Sequence, residues 1–133
     1  MQYLCVSAAL ALATIHKYQA TTITNLLDLG CGKGFFAKAF NKANWKTALV
    51  DFSDDGLRRH YPSLLECFVQ ADLFAYIEEN SIDIKTFGLI NLDNVLEHVI
   101  DPIELLGMLK LNMLPSTLLR IEVPNDFSAF QNF

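Results

Sequence analysis

The sequence predicts an α/β fold, a Rossmann-like three-layer αβα sandwich around a mostly parallel sheet of about five strands. Two observations carry this. Short apolar runs alternate five times with segments of helical character. A glycine-rich stretch, LLDLGCGKG from Leu26 to Gly34, joins the first such run to the first amphipathic segment. One domain spanning 1–133 is expected, because 133 residues with 52% hydrophobic content and 19% charge support one sizeable core.

The elements follow in order. Leu4 to Tyr18 is rich in Ala and Leu, lacks Gly and Pro, and reads as a core-packing amphipathic helix. Its apolar start resembles a signal-peptide core, but no Lys or Arg precedes it and it is too short to span a bilayer. Asn25 to Leu29 is a buried strand ending at glycine. In FFAKAFNKA, Phe35, Phe36, Ala39, Phe40 and Ala43 share one helical face and Lys38 and Lys42 the other. Trp45 to Val50 is the second strand, closed by Asp51. Ser53 is the expected cap of a short helix with Asp54 and Asp55 in its first turn, ended by Pro62. Glu66 to Gln70 is the third strand, and Asp72 to Asn80 a helix. Phe87 to Leu92 is the fourth strand. Asp101-Pro102 is a cap followed by proline at the first helical position, and that helix runs to Pro115. Ser116 to Val123 is the fifth strand, and the last ten residues read as a loop with three phenylalanines.

Composition narrows the partners. The net charge of −5 and pI of about 5.0 argue against a broad phosphate-binding surface and so against nucleic acid. Three cysteines, Cys5, Cys31 and Cys67, form no CxxC pair, which argues against a disulfide framework and a zinc site. A reducing cytoplasm is the expected compartment.

The glycine loop sits where open α/β sheets bind ligands, at the carboxyl end of the first strand. Glycines at 30, 32 and 34 allow positive φ and close approach of a ligand. The following helix directs free N–H groups into the same space. The spacing is G-x-G-x-G with Phe35 next, so the nicotinamide and flavin fingerprint G-x-G-x-x-G is absent. No G-x-x-x-x-G-K-[ST] occurs either.

DLGCGKG resembles motif I of the class I S-adenosylmethionine-dependent methyltransferases. Asp51, 23 residues beyond Asp28, resembles the acid that chelates the cofactor's ribose hydroxyls. QADLF at 70–74 resembles the third-strand motif, and FGLINLDNVLEHVIDP at 87–102 the fourth. VPN at 123–125 resembles the end of the fifth strand. The resemblance covers roughly 25–125 and implies S-adenosylmethionine as cofactor. It implies cofactor contacts at Asp28, Gly30, Cys31, Gly32, Gly34, Asp51, Phe52, Ala71, Asp72, Leu73 and Asn94. Asp28 would hold the loop and face the methionine amino group. Phe52 would pack on the adenine or in the core. Asp72 would accept from the adenine amino group, cap a helix, or both.

The implied reaction is in-line transfer of a methyl group to a small-molecule acceptor, with proximity and orientation supplying much of the rate. Asn94, Glu97 and His98 share a face if their turn is helical; Glu97 and His98 either stabilise the fourth-strand loop by local hydrogen bonds or are the catalytic candidates, with His98 as general base. A metal-binding E-x-x-E-H pattern found in part of the family has Asn94 in place of its first acid, which argues against a metal site here. Two substitutions depart from the family pattern: Gly88 in place of an acid, and Asn91, an amide that needs a partner in a buried strand. The family's usual seven-stranded sheet would lack its last two strands. Either the chain is a fragment of a longer one, or the fifth-strand edge is expected to be covered by a second copy or another partner. A non-catalytic cofactor-binding or scaffold domain is the alternative function.

Overall fold

The computed structural model describes residues 5–124. The helix α1 (Val6–Tyr18) precedes β1 (Asn25–Leu29), α2 (Phe35–Lys42), β2 (Lys46–Asp51) and α3 (Asp55–His60). After β3 (Phe68–Gln70) come α4 (Leu73–Glu79), β4 (Leu89–Asp93), α5 (Pro102–Asn112) and β5 (Leu118–Glu122). Three-residue-per-turn helices occupy Pro62–Cys67 and Asp83–Thr86. The five strands form one parallel sheet in the order β3-β2-β1-β4-β5. Strand order reverses at β1, between β2 and β4, so a crevice opens at the carboxyl ends of those strands.

Burial explains the layers. β1 and β4 lie in the middle of the sheet, and Leu26, Leu27, Leu29, Ile90 and Leu92 are fully buried. One face is filled from α4 and α5 by Leu73, Ile77, Leu105 and Leu109. The other is filled from α2 and the segment after it by Phe36, Phe40 and Trp45: Phe36 stacks on Phe40, and Phe40 meets Trp45 edge to face.

Several local expectations change. α1 is not amphipathic: Ala8 is buried, while Val6 and Leu10 stand in solvent. Ala8, Ala11, Leu12 and Ile15 make its contact with the core, while Leu10 lines an outer groove. β3 is only three residues long, because Pro62 starts a tight helix that carries the chain through Glu66 and Cys67. Asp54, not Ser53, holds the cap position of α3; the Ser53 hydroxyl accepts from the Asp55 N–H instead. β4 begins at Leu89, not Phe87. The caps of α4 and α5 are as expected, Asp72 accepting from the Ala75 N–H and Asp101 from the Glu104 N–H. The final segment, with Asn125 and Asp126, lies outside the described residues.

Gly88 also has its reason. A Cβ there would collide with the Ile23 carbonyl oxygen, so the acid usual at this station has no room. Gly88→Ala is expected to destabilise the fold by about 2–3 kcal/mol, because backbone must move to admit one methyl group. Urea unfolding of parent and variant measures it.

Candidate cofactor site

The site begins at the end of β1. Gly30, Gly32 and Gly34 take φ of 80°, 54° and 83°. At Gly32 a Cβ would meet nothing within 4 Å, so the loop leaves open space above it. That space joins a cavity of about 360 Å³ whose lining includes Asp28, Gly30, Cys31, Gly32, Asn91 and Asn94. The first turn of α1, with Cys5, Val6 and Ser7, forms its far wall.

Two carboxylates flank the loop and play different parts. Asp51 holds it: its Oδ2 accepts from the Gly32 N–H at 2.8 Å and its Oδ1 from the Phe52 N–H at 2.7 Å. Each oxygen retains a second lone pair toward solvent. Asp28 was expected to hold the loop, and it does not. Its side chain is buried, and Oδ1 accepts from the Asn91 amide at 2.9 Å. Burial pushes its carboxyl from 3.8 up to about 7, opposed by the Asn91 hydrogen bond and aided by the negative Asp93 and Asp51. Cys31 is a buried small residue whose thiol burial pushes well above its ordinary range, so it is no nucleophile.

Phe52 is 64% exposed, which removes its core alternative and leaves an aromatic face in solvent next to Asp51. Its carbonyl accepts from the Gln70 side chain at 2.7 Å, tying the ends of β2 and β3 together. Ala71 continues that edge through its N–H to the Asp51 carbonyl. Leu73 sends its side chain into the core, leaving only its backbone for a ligand. Asp72 is exposed with one oxygen committed to its cap.

Asn94 follows β4 in the left-handed region at φ 54° and lines the cavity. Its N–H reaches the Glu122 carbonyl and its amide the Asp93 carboxylate. The turn after it is not helical, so Asn94, Glu97 and His98 do not share a helical face. Glu97 and His98 face each other, Nε2 to Oε1 at 3.7 Å, with His98 exposed. Neither is among the residues lining the loop cavity.

The sequence reading missed a polar cluster behind the loop. Asn91 is fully buried, and its Oδ1 accepts from Arg120 Nη1 at 2.7 Å. Arg120 Nη2 donates to Ser7 Oγ at 2.7 Å and to Glu122. Ser7 donates in turn to Glu122 at 2.9 Å. Asp93 lies 3.8 Å from the same guanidinium. Burial and the neighbouring Glu122 raise the Asp93 carboxyl, while Arg120 and Ser7 lower that of Glu122. The signal was present: a buried amide demands a partner, and LLRIE carries two charges inside a strand.

A parallel sheet with a glycine loop between two acids at its reversal point defines a nucleotide-type binding protein. The chain belongs to the methyltransferase domain family, whose pattern it matches over residues 1–132. Its fold and motifs are those of the class I S-adenosylmethionine-dependent methyltransferases. It is similar to an S-adenosylmethionine-dependent methyltransferase from Archaeoglobus fulgidus, at 22% identity and TM-score 0.61, covering 92% of this chain and 56% of that one. Monomeric WbdD is 18% identical with TM-score 0.65, covering 97% of this chain and 33% of that one. A Plasmodium falciparum protein described as a protein-L-isoaspartate O-methyltransferase, solved with S-adenosyl-L-homocysteine, is 17% identical with TM-score 0.54, covering 92% and 61%. The chain thus spans less than two thirds of each of these proteins. No curated protein matches it significantly. Among the described residues no helix is long and apolar enough to cross a membrane.

Proposed function

We propose that this chain binds S-adenosylmethionine and transfers its methyl group to a small-molecule acceptor. The single observation that carries the reading is the open space above Gly32, set between the Asp28 and Asp51 carboxylates. The residues fit the cofactor. Asp51 would accept from the two ribose hydroxyls with its remaining lone pairs, and Phe52 offers a face to the adenine. The Ala71–Leu73 backbone and Asp72 would meet the adenine edge. Asp28 and Asn94, with the backbone of Gly30, Cys31, Gly32 and Gly34, would receive the amino acid end. When bound, S-adenosylmethionine supplies an electrophilic methyl on a sulfonium. The chain's part is alignment and exclusion of water, for which the α1 wall is suited. His98, beside Glu97, is our candidate to take a proton from a hydroxyl acceptor. The net charge of −5 supports a small molecule over nucleic acid. The free cysteines Cys5, Cys31 and Cys67 support a reducing, cytoplasmic setting.

Calorimetric titration with S-adenosyl-L-homocysteine tests the cofactor, with NADH as control. Micromolar binding of the former alone is expected. No binding by the folded chain sinks the reading and favours the scaffold alternative.

We further propose a second copy on the β5 edge. Leu118 donates to Gly88 and Glu122 accepts from Asn94, so alternate residues face β4, and Leu119, Ile121 and Val123 present their N–H and C=O groups outward. An antiparallel pairing centred on Ile121 sets Leu119 against Val123 of the second copy, and Arg120 against Glu122. Apolar pairs fall on one face and opposite charges on the other. Grooves of about 540 Å³ flank β5 on both faces. Sedimentation should show a dimer that Ile121→Pro converts to monomer, because proline removes the central donor. A monomeric parent chain at micromolar concentration refutes the pairing.

A further inference from the structure

We propose that Arg120 is a positioning residue for this site: through Ser7 it fixes the first turn of α1 as a wall of the cavity, and through Asn91 it fixes which group faces Asp28. The proposal rests on the cofactor reading above. Arg120 touches four elements. It donates to Asn91 on β4, to Ser7 on α1 and to Glu122 on its own strand. Its guanidinium also lies 4.8 Å over the Phe36 ring of α2, directly after the glycine loop.

The hydrogen bonds have forced directions. A guanidinium has donors and no acceptor. Asn91 must therefore turn Oδ1 to Arg120, which leaves its Nδ2 for Asp28 at 2.9 Å. An N–H donor on a carboxylate favours the ionised form. Without Arg120 the amide is free to rotate and offer Oδ1, which favours a protonated Asp28. Ser7 is directed likewise: it accepts from Arg120, so its own proton goes to Glu122. One cation thus holds the α1 wall closed and the Asp28 carboxylate ready for an amino group.

The other charged groups near Asp28 are Asp51 on β2, Asp93 on β4 and Glu122 beyond Arg120 on β5, with Lys33 on the loop. Cys31 stays a neutral thiol, and the turn of α1 at the cavity, Cys5 to Ser7, carries no charged side chain. Arg120 is the cation that lowers the Asp28 carboxyl against these acids.

Arg120→Met keeps the bulk and removes the donors; Arg120→Lys keeps a charged donor. Carbon-13 NMR of the Asp28 carboxyl in the ligand-free chain should show the Arg120→Met midpoint raised by about one pH unit or more, with Arg120→Lys near the parent. S-adenosyl-L-homocysteine affinity of Arg120→Met should fall about 10-fold more at neutral pH than at about pH 9, where only the loss it shares with Ser7→Ala should remain. Ser7→Ala should weaken binding equally at all pH values. An unshifted midpoint in Arg120→Met, or a loss of affinity with no pH-dependent part beyond that of Ser7→Ala, overturns the assignment and leaves Arg120 a structural contact. If the parent binds no S-adenosyl-L-homocysteine at any pH, the cofactor reading fails. The ligand-free titration still decides the link from Arg120 to Asp28.

Discussion

Asp51→Ala is expected to reduce affinity for S-adenosyl-L-homocysteine by about 10- to 100-fold, the loss of about 1–3 kcal/mol that follows when hydrogen-bonded groups are stranded. Two effects add. The ribose hydroxyls would lose their acceptor. The loop would lose the bond that fixes its shape, since Asp51 Oδ2 holds the Gly32 N–H at 2.8 Å. Gly32 has positive φ and no neighbour near its missing Cβ, while Gly56 packs against its carbonyl from the other side. Stability should change little, because Asp51 sits at a strand end and is only partly buried. Titration calorimetry with parallel thermal melts separates the two. Unchanged affinity in a folded variant removes Asp51 from the site. A matching loss of both affinity and stability would make it a loop brace alone.

How much of this was legible in the sequence depends on how local each cause is. β1, the glycine loop and α2 were legible because their signals lie within a few residues: an apolar run, three spaced glycines, then an apolar face at helical spacing. The caps Asp72 and Asp101 are local in the same way. The fold class followed from alternation alone, and the parallel order β3-β2-β1-β4-β5 agrees with it. The misses depend on distant groups. Gly88 reads as a missing acid until Ile23 is seen against it. Asn91 reads as a fault until Asp28, 63 positions away, and Arg120, 29 away, are placed beside it. The division of labour between the two loop acids was also hidden. Both stand at strand ends, but β1 is central and buries Asp28, whereas β2 lies one strand out and leaves Asp51 reachable. The spacing of Asn94, Glu97 and His98 gives a shared face only if the turn after β4 is helical, and Asn94 in the left-handed region breaks that continuation.

Asp28→Asn should raise stability and lower binding together, and the pH dependence shows why. The Asp28 carboxyl stands at about 7 in the folded chain against an ordinary 3.8. Its folded value is raised, so the folded chain binds the proton more tightly than the unfolded chain does. Stability is therefore greatest below about pH 4, falls as pH rises toward 7, and levels off above it. A neutral amide has no such slope and can still accept from the Asn91 Nδ2 through its own oxygen. Asp28→Asn should match the parent near pH 4 and exceed it by about 2–4 kcal/mol at pH 8, read by urea unfolding across that range. Binding should move the other way. Parent affinity for S-adenosyl-L-homocysteine should climb through pH 7 as Asp28 ionises, and the variant should be weak and flat. A buried acid that burdens its own fold persists when the ionised form has a ligand to meet. A variant less stable than the parent at pH 8 would show that Asp28 is held charged by its neighbours at no cost to the fold. The binding slope would then have to arise elsewhere, with Asp93, the other acid raised by burial at the same strand ends, next to replace.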